Sequence, residues 1–255
     1  MADGADSKNV LVTGAAKRLG RAIALDLASH GWDIALHFNV SEREAQETAD
    51  AVRAAGRRVA LVKADLASEE ATSSLIARSV AELGQISALI NSASIFELDD
   101  WMTASRASWD RHMAVNLRAP FVLCQEFARQ LPEAARGAVV NIIDQRVLKP
   151  TPQFLSYSAS KAALYWLNTT LAQAFAPRIR VNAVAPGPTM INARQSEAHF
   201  RRQREATVLG GGAEPQDVCD AVRYLLAAPA VTGQMIAVDG GQHLIWQTAD
   251  VTVAE

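Results

Sequence analysis

A single-domain, doubly wound α/β fold, with about seven parallel strands and helices on both faces, is the architecture predicted for this 255-residue chain. Three observations point to it. Short apolar runs rich in β-branched residues alternate with helix-length stretches, which is the pattern of parallel strands joined by crossover helices. No internal repeat, low-complexity tract or Pro/Ser/Gly-rich linker divides the sequence. A content of 49% apolar and 20% charged residues is enough for one sizeable core.

In chain order, NVLVT (9–13), DIALHF (33–38), RVALVKA (58–64), ALIN (88–91), AVVNII (138–143), IRVNAVA (179–185) and MIAVD (235–239) read as strands. Helices are expected over 18–30, 41–55, 69–83, 107–131, 156–176 and 216–227. Residues 1–8 read as an N-terminal tail, 9–244 as the domain and 245–255 as a C-terminal tail. The stretch from Pro186 to Pro215 lacks clear periodicity and is too long for a plain connection, so 190–212 is a candidate substrate lid.

A formal net charge of -2 provides no broad positive field, so nucleic acid and anionic membrane are not expected partners and a small-molecule substrate is. The N-terminus lacks the charged and apolar regions of a secretory signal, and a cytoplasmic location is the default expectation. Cys124 and Cys219 fall in helical patterns and read as reduced, buried thiols. No metal site is expected.

Chemistry enters with TGAAKRLGR, directly after the first strand. Gly14 and Gly20 bracket the start of a helix, where backbone N–H groups and the positive helix end suit a pyrophosphate, so a dinucleotide site of Rossmann type is expected there, with Leu19 in the turn. A second pattern is YSASK. Tyr157 and Lys161 share one face of a predicted helix, and no other tyrosine here has a lysine four positions on.

The spacing TG(x)5G, the NSAS segment after the fourth strand and YSASK after the fifth together resemble the short-chain dehydrogenase/reductase family over nearly the whole chain. The resemblance implies that Lys161 binds the nicotinamide ribose and favours a tyrosinate, that Tyr157 exchanges a proton with substrate, and that Asn116 supports a water chain to the lysine. It implies cofactor contacts from Asp65 and Leu66, from Asn91 and Ala93, and from Pro186, Gly187 and Thr189. Arg18 stands where the family usually has a glycine. The second strand ends in His37, Asn39 and Ser41, with no acid before Glu42, so NADPH is expected rather than NADH. His37 reads either as a donor to the cofactor or as a satisfied neutral histidine.

Asp144 occupies the position, thirteen residues before the tyrosine, where most family members have a serine that donates to a carbonyl. An ionised carboxylate donates nothing and would oppose a developing oxyanion, but it suits a substrate with N–H groups. TGAAKRLGR, SASIF and the Asp144, Tyr157, Lys161 set resemble the pteridine reductase branch, including dihydromonapterin reductases and proposed alternative dihydrofolate reductases. That resemblance implies that Phe96 stacks on the pterin, Ser94 bonds near its amino group, and Arg18 reaches phosphate and substrate. The expected function is NADPH-dependent reduction of a pterin C=N bond. Carbonyl or alcohol oxidoreduction is the alternative, and a non-catalytic dinucleotide binder a third reading. By family analogy the helices at 107–131 and 156–176 imply a homotetramer, and Trp246 is either a subunit contact or a local anchor.

Overall fold

The computed structural model describes residues 8–191 and 194–246. A seven-stranded sheet runs in the order β3-β2-β1-β4-β5-β6-β7, and every neighbouring pair is parallel. Its strands are β1 (Asn9–Val12), β2 (Asp33–Phe38), β3 (Val59–Lys63), β4 (Ala88–Asn91), β5 (Gly137–Ile142), β6 (Ile179–Pro186) and β7 (Met235–Val238). The order reverses between β1 and β4. In a doubly wound sheet, that switch point opens a crevice at the carboxyl ends of the strands.

The helices are α1 (Arg18–Ser29), α2 (Glu42–Ala54), α3 (Glu69–Leu83), α4 (Arg106–Met113), α5 (Ala119–Gln130), α6 (Leu155–Phe175), α7 (Glu197–Glu205) and α8 (Pro215–Ala227). Alternate residues of one strand serve opposite faces. Val10 and Val12 pack with Ile23 and Leu27 of α1 and Val222 of α8, whereas Leu11 packs with Leu75 of α3 and Phe127 of α5. β1, β2, β4 and β5 are buried along their entire lengths, which is why they read as apolar runs rather than as alternating patterns. Cys124 and Cys219 are free and buried on opposite faces; burial pushes both thiols up to about 12.

Two expectations need correction. The single helix expected over 107–131 is α4 and α5 joined by a π-helical segment, Ala114–Arg118. Pro120, in the first turn of α5, has no N–H to donate, so the Asn116 carbonyl four residues back loses its α-helical donor and the turn widens. The candidate lid is also not wholly irregular, since it contains α7. That helix has no buried residue, so it shows none of the apolar periodicity by which helices are read. The tails fall almost entirely outside the described residues. Trp246 is described and is 68% exposed.

Charged anchors fix the helix ends. Arg180, on β6, donates from Nη1 to the Leu225 carbonyl at 2.6 Å and from Nη2 to the Leu226 carbonyl at 2.7 Å, meeting the unpaired acceptors and the negative end of α8. Replacing Arg180 by Ala strands those carbonyls. The change should lower the unfolding free energy by about 2 kcal/mol in urea titrations, without altering the fold by circular dichroism.

Candidate active site

The crevice at the switch point is a cleft of about 1250 Å³. Among its lining residues are Gly14, Arg18, Leu19, Gly20, His37, Asn39, Asp65, Leu66, Ala93, Ser94, Phe96, Asp144, Tyr157, Lys161, Pro186, Gly187 and Thr189. Residues from across the sequence thus meet in one place because the strands that carry them all end there. Ser41, Asn91 and Asn116, also expected at the site, do not line it.

The glycine turn is built by close approach. Gly14 has φ of 67°, and a Cβ there would stand 2.9 Å from the Ala93 Cα. A Cβ on Gly20 would lie 2.3 Å from the Gly14 carbonyl oxygen, so the turn and the first turn of α1 can pack only without side chains. No side chain caps α1, and no acid lies in its first turn. Its N-terminal N–H groups and dipole are left to face the cleft, a fit for a pyrophosphate.

His37 belongs to this turn rather than to a ligand. Its Nδ1 accepts from the Gly14 N–H at 3.0 Å, and Nε2 lies 3.1 Å from the Ala64 carbonyl, to which it donates. Burial depresses its pKa to about 4, so the ring is neutral and both nitrogens are used by the backbone. Arg18 adopts φ of 54° and donates to the carbonyls of Ile191 at 2.7 Å and Met190 at 3.2 Å, clasping the glycine turn to the segment after Thr189. Asp65 accepts from the Ala67 N–H at 3.0 Å, and Ser68, not Asp65, caps α3. The Asn91 amide donates to Asn141 Oδ1 at 2.9 Å, inside the sheet.

At the other end of the cleft, Tyr157 Oη donates to Asp144 Oδ2 at 2.8 Å. Asp144 also accepts from the Arg146 backbone N–H at 2.8 Å and from Arg146 Nη1 at 3.2 Å. Burial and the neighbouring Asp144 carboxylate push the Tyr157 phenol well above its usual value. The tyrosinate implied by the family resemblance is therefore not the resting state here, because Asp144 takes the hydrogen bond of a protonated phenol. The buried Lys161 donates to the Ile142 carbonyl at 2.9 Å, and desolvation lowers its pKa to about 8.

Asn116 is a positioning residue in this geometry. It donates to the Ile95 carbonyl and to Ser160 Oγ, and accepts from the Ile95 N–H and Ser94 Oγ, all within 2.9 to 3.1 Å. It thereby pins the loop carrying Ser94 and Phe96 to α6. Three further residues escaped the sequence reading. Buried Asp99 accepts from the Ser156 N–H at 3.0 Å, fixing the start of the helix that carries Tyr157. Although burial works to raise it, hydrogen bonds from Ser156 and Ser108 hold its carboxyl below the usual value. Phe154, at φ of 59°, stacks on Phe96 with centroids 4.3 Å apart and planes inclined by 12°. Arg146 braces Asp144. The aromatic in PQFLSY was a readable signal for Phe154, whereas the partners of Asp99 are visible only in three dimensions.

A glycine turn at an uncapped helix, with a buried tyrosine and lysine facing it across a cleft at the switch point, defines a dinucleotide-dependent oxidoreductase site. Residues 8–202 match the short chain dehydrogenase family, and the chain belongs to that family. The structure of FolM alternative dihydrofolate reductase 1 from Brucella canis, complexed with NADP, is similar at a TM-score of 0.90 and 45% identity, covering 96% of this chain and 98% of that one. 3beta-hydroxysteroid dehydrogenase 1 from Eggerthella lenta is 33% identical over 256 residues, covering 96% of this chain and 97% of its own. The angucycline C-6 ketoreductase LanV with bound NADP is 29% identical at a TM-score of 0.86, covering 93% of this chain and 96% of that one.

The pH dependence follows from Lys161. Its cation, which by the family resemblance would hold the ribose, is present below a pKa of about 8 and lost above it, while Tyr157 keeps its proton throughout. kcat/KM for the nicotinamide cofactor, which reports the free enzyme, should be level below that value and fall with unit slope above it. Lys161→Arg should abolish the fall.

Proposed function

We propose that this protein is an NADPH-dependent reductase that delivers hydride to a C=N bond of a pterin-type substrate: a dihydropteridine, dihydromonapterin or dihydrofolate. The observation that carries this reading is the 2.8 Å hydrogen bond from Tyr157 to Asp144, a proton donor resting on an acceptor where carbonyl chemistry calls for a second donor. The likeness to a FolM structure with NADP supports both the substrate class and the cofactor.

Bound in the cleft, NADPH would supply the hydride. Gly14, Gly20 and the N-terminus of α1 would hold its phosphates, with Asp65 and Leu66 near the adenine and Pro186, Gly187 and Thr189 near the nicotinamide. No acid stands at Asn39 or Val40 to repel a 2′-phosphate, and Lys17 and Arg18 both line the cleft. Tyr157 would hand its proton to the substrate nitrogen as carbon receives hydride, and Asp144 would accept from a ring or amino N–H. Phe96, edge-on to Tyr157 at 4.7 Å, offers a plane for a flat bicycle, and Ser94 a polar contact beside it.

A second reading, carbonyl or alcohol oxidoreduction, is favoured by relatives such as the steroid dehydrogenase and the ketoreductase. As to assembly, Trp109 on α4 and Tyr165 and Trp166 on α6 are exposed, which supports the homotetramer implied by family analogy. A cytoplasmic location is part of the same proposal. No helix among the described residues is long and apolar enough to cross a membrane.

The test follows NADPH and NADH oxidation with dihydrobiopterin, dihydromonapterin, dihydrofolate and a set of ketones. Turnover of a dihydropterin with NADPH is expected, and Asp144→Ser should cut it by about 100-fold while raising ketone reduction. Ketone reduction alone by the wild-type protein would overturn the proposal.

A further inference from the structure

Asp144 leaves the cleft without the serine hydroxyl that family resemblance implies at its position. A carboxylate that only accepts cannot steady a substrate atom on which electron density builds as hydride arrives. The nearest candidate for that task lies two residues on. Arg146 sits on the short helical turn Gln145–Val147 that Asp144 itself caps, and it lines the cleft. One end of its guanidinium, Nη1, holds Asp144 at 3.2 Å. Its Nε is buried and has no hydrogen-bond partner among the described residues.

The aromatic neighbours hold the cation in place without using its N–H groups. The Arg146 guanidinium carbon lies 5.3 Å from the ring centres of both Phe96 and Phe154, which are themselves only 4.3 Å apart. It is held there by Asp144 and by packing, with N–H groups left over. A guanidinium is a rigid planar fork, so one end can bind Asp144 while another N–H points elsewhere; an ammonium has no such fixed geometry.

We propose that Arg146 is a catalytic residue, whose guanidinium donates a hydrogen bond to a substrate lone pair other than the one Tyr157 protonates, on an atom that gains electron density during hydride transfer, replacing the absent hydroxyl donor. This rests on the reductase reading of the cleft. Hydride goes from the dinucleotide to carbon and the proton from Tyr157 to nitrogen; Arg146 transfers neither. Asp144 and Arg146 then present an acceptor and a donor side by side, a pair suited to a heterocycle with both an N–H and a lone pair at its edge.

The test compares Arg146→Met, of similar length without N–H groups, with Arg146→Lys, using NADPH and whichever substrate the wild-type protein reduces best. Melting temperature and NADPH binding establish that each variant is folded. Arg146→Met should lose about 100-fold in kcat with NADPH binding unchanged, and added guanidinium ion should restore part of its kcat without accelerating the wild type. Arg146→Lys should recover only part. A change in kcat under about threefold, a loss confined to KM with no response to guanidinium, or a fully active Arg146→Lys would each overturn the proposal. If the wild type reduces ketones alone, the pterin reading falls while the Arg146 comparison still runs on the ketone. If it reduces a pterin and Arg146→Met is fully active, only this inference falls. A wild type that reduces nothing overturns both.

Discussion

Asp144 sets the chemistry of the cleft because a carboxylate among donors leaves one direction for each hydrogen bond. Tyr157 Oη, the Arg146 backbone N–H and Arg146 Nη1 each donate to it, so the phenol keeps its proton. Burial reinforces the same outcome, since a buried phenolate beside a carboxylate would be penalised twice. The site at rest is therefore charged with an acid. That suits reduction, which consumes a proton for each hydride.

The scaffold fixes this arrangement through backbone that cannot slip. Asp144 leaves the end of β5, paired on both sides by parallel strands, and Tyr157 enters on α6, whose first turn is held by Asp99. Asn116 ties the loop of Phe96 to the same helix from the π-helical segment, with all four of its hydrogen-bonding sites engaged. The aromatic floor is held less comfortably. Phe154 keeps a left-handed backbone that costs a non-glycine residue roughly 1 kcal/mol, compensated by its stacking on Phe96.

What could be read in the sequence is what physical chemistry writes locally. β2, β4 and α3 lie where periodicity placed them, because strands buried on both faces and an amphipathic helix leave continuous marks. Gly14, Gly20, Asp144, Tyr157 and Lys161 were legible because each has a fixed offset from a strand or helix end. α7 was not, since none of its residues is buried. His37 left two readings open until its neighbours, Gly14 and Ala64, which follow β1 and β3, claimed both nitrogens. Arg146 looked like any charged loop residue. Its meaning depends on Phe96 and Phe154, which come from elsewhere in the chain, and on Asp144 beside it.

The protonation of Tyr157 is the point on which the proton-donor role turns, and a near-ultraviolet difference titration of the protein against its Tyr157→Phe variant measures it directly. A phenol resting on Asp144 contributes no tyrosinate absorbance until the pH is well above the usual tyrosine range, and Asp144→Asn brings that absorbance to lower pH. Tyrosinate appearing from Tyr157 near neutral pH, unaffected by the change at Asp144, would contradict it.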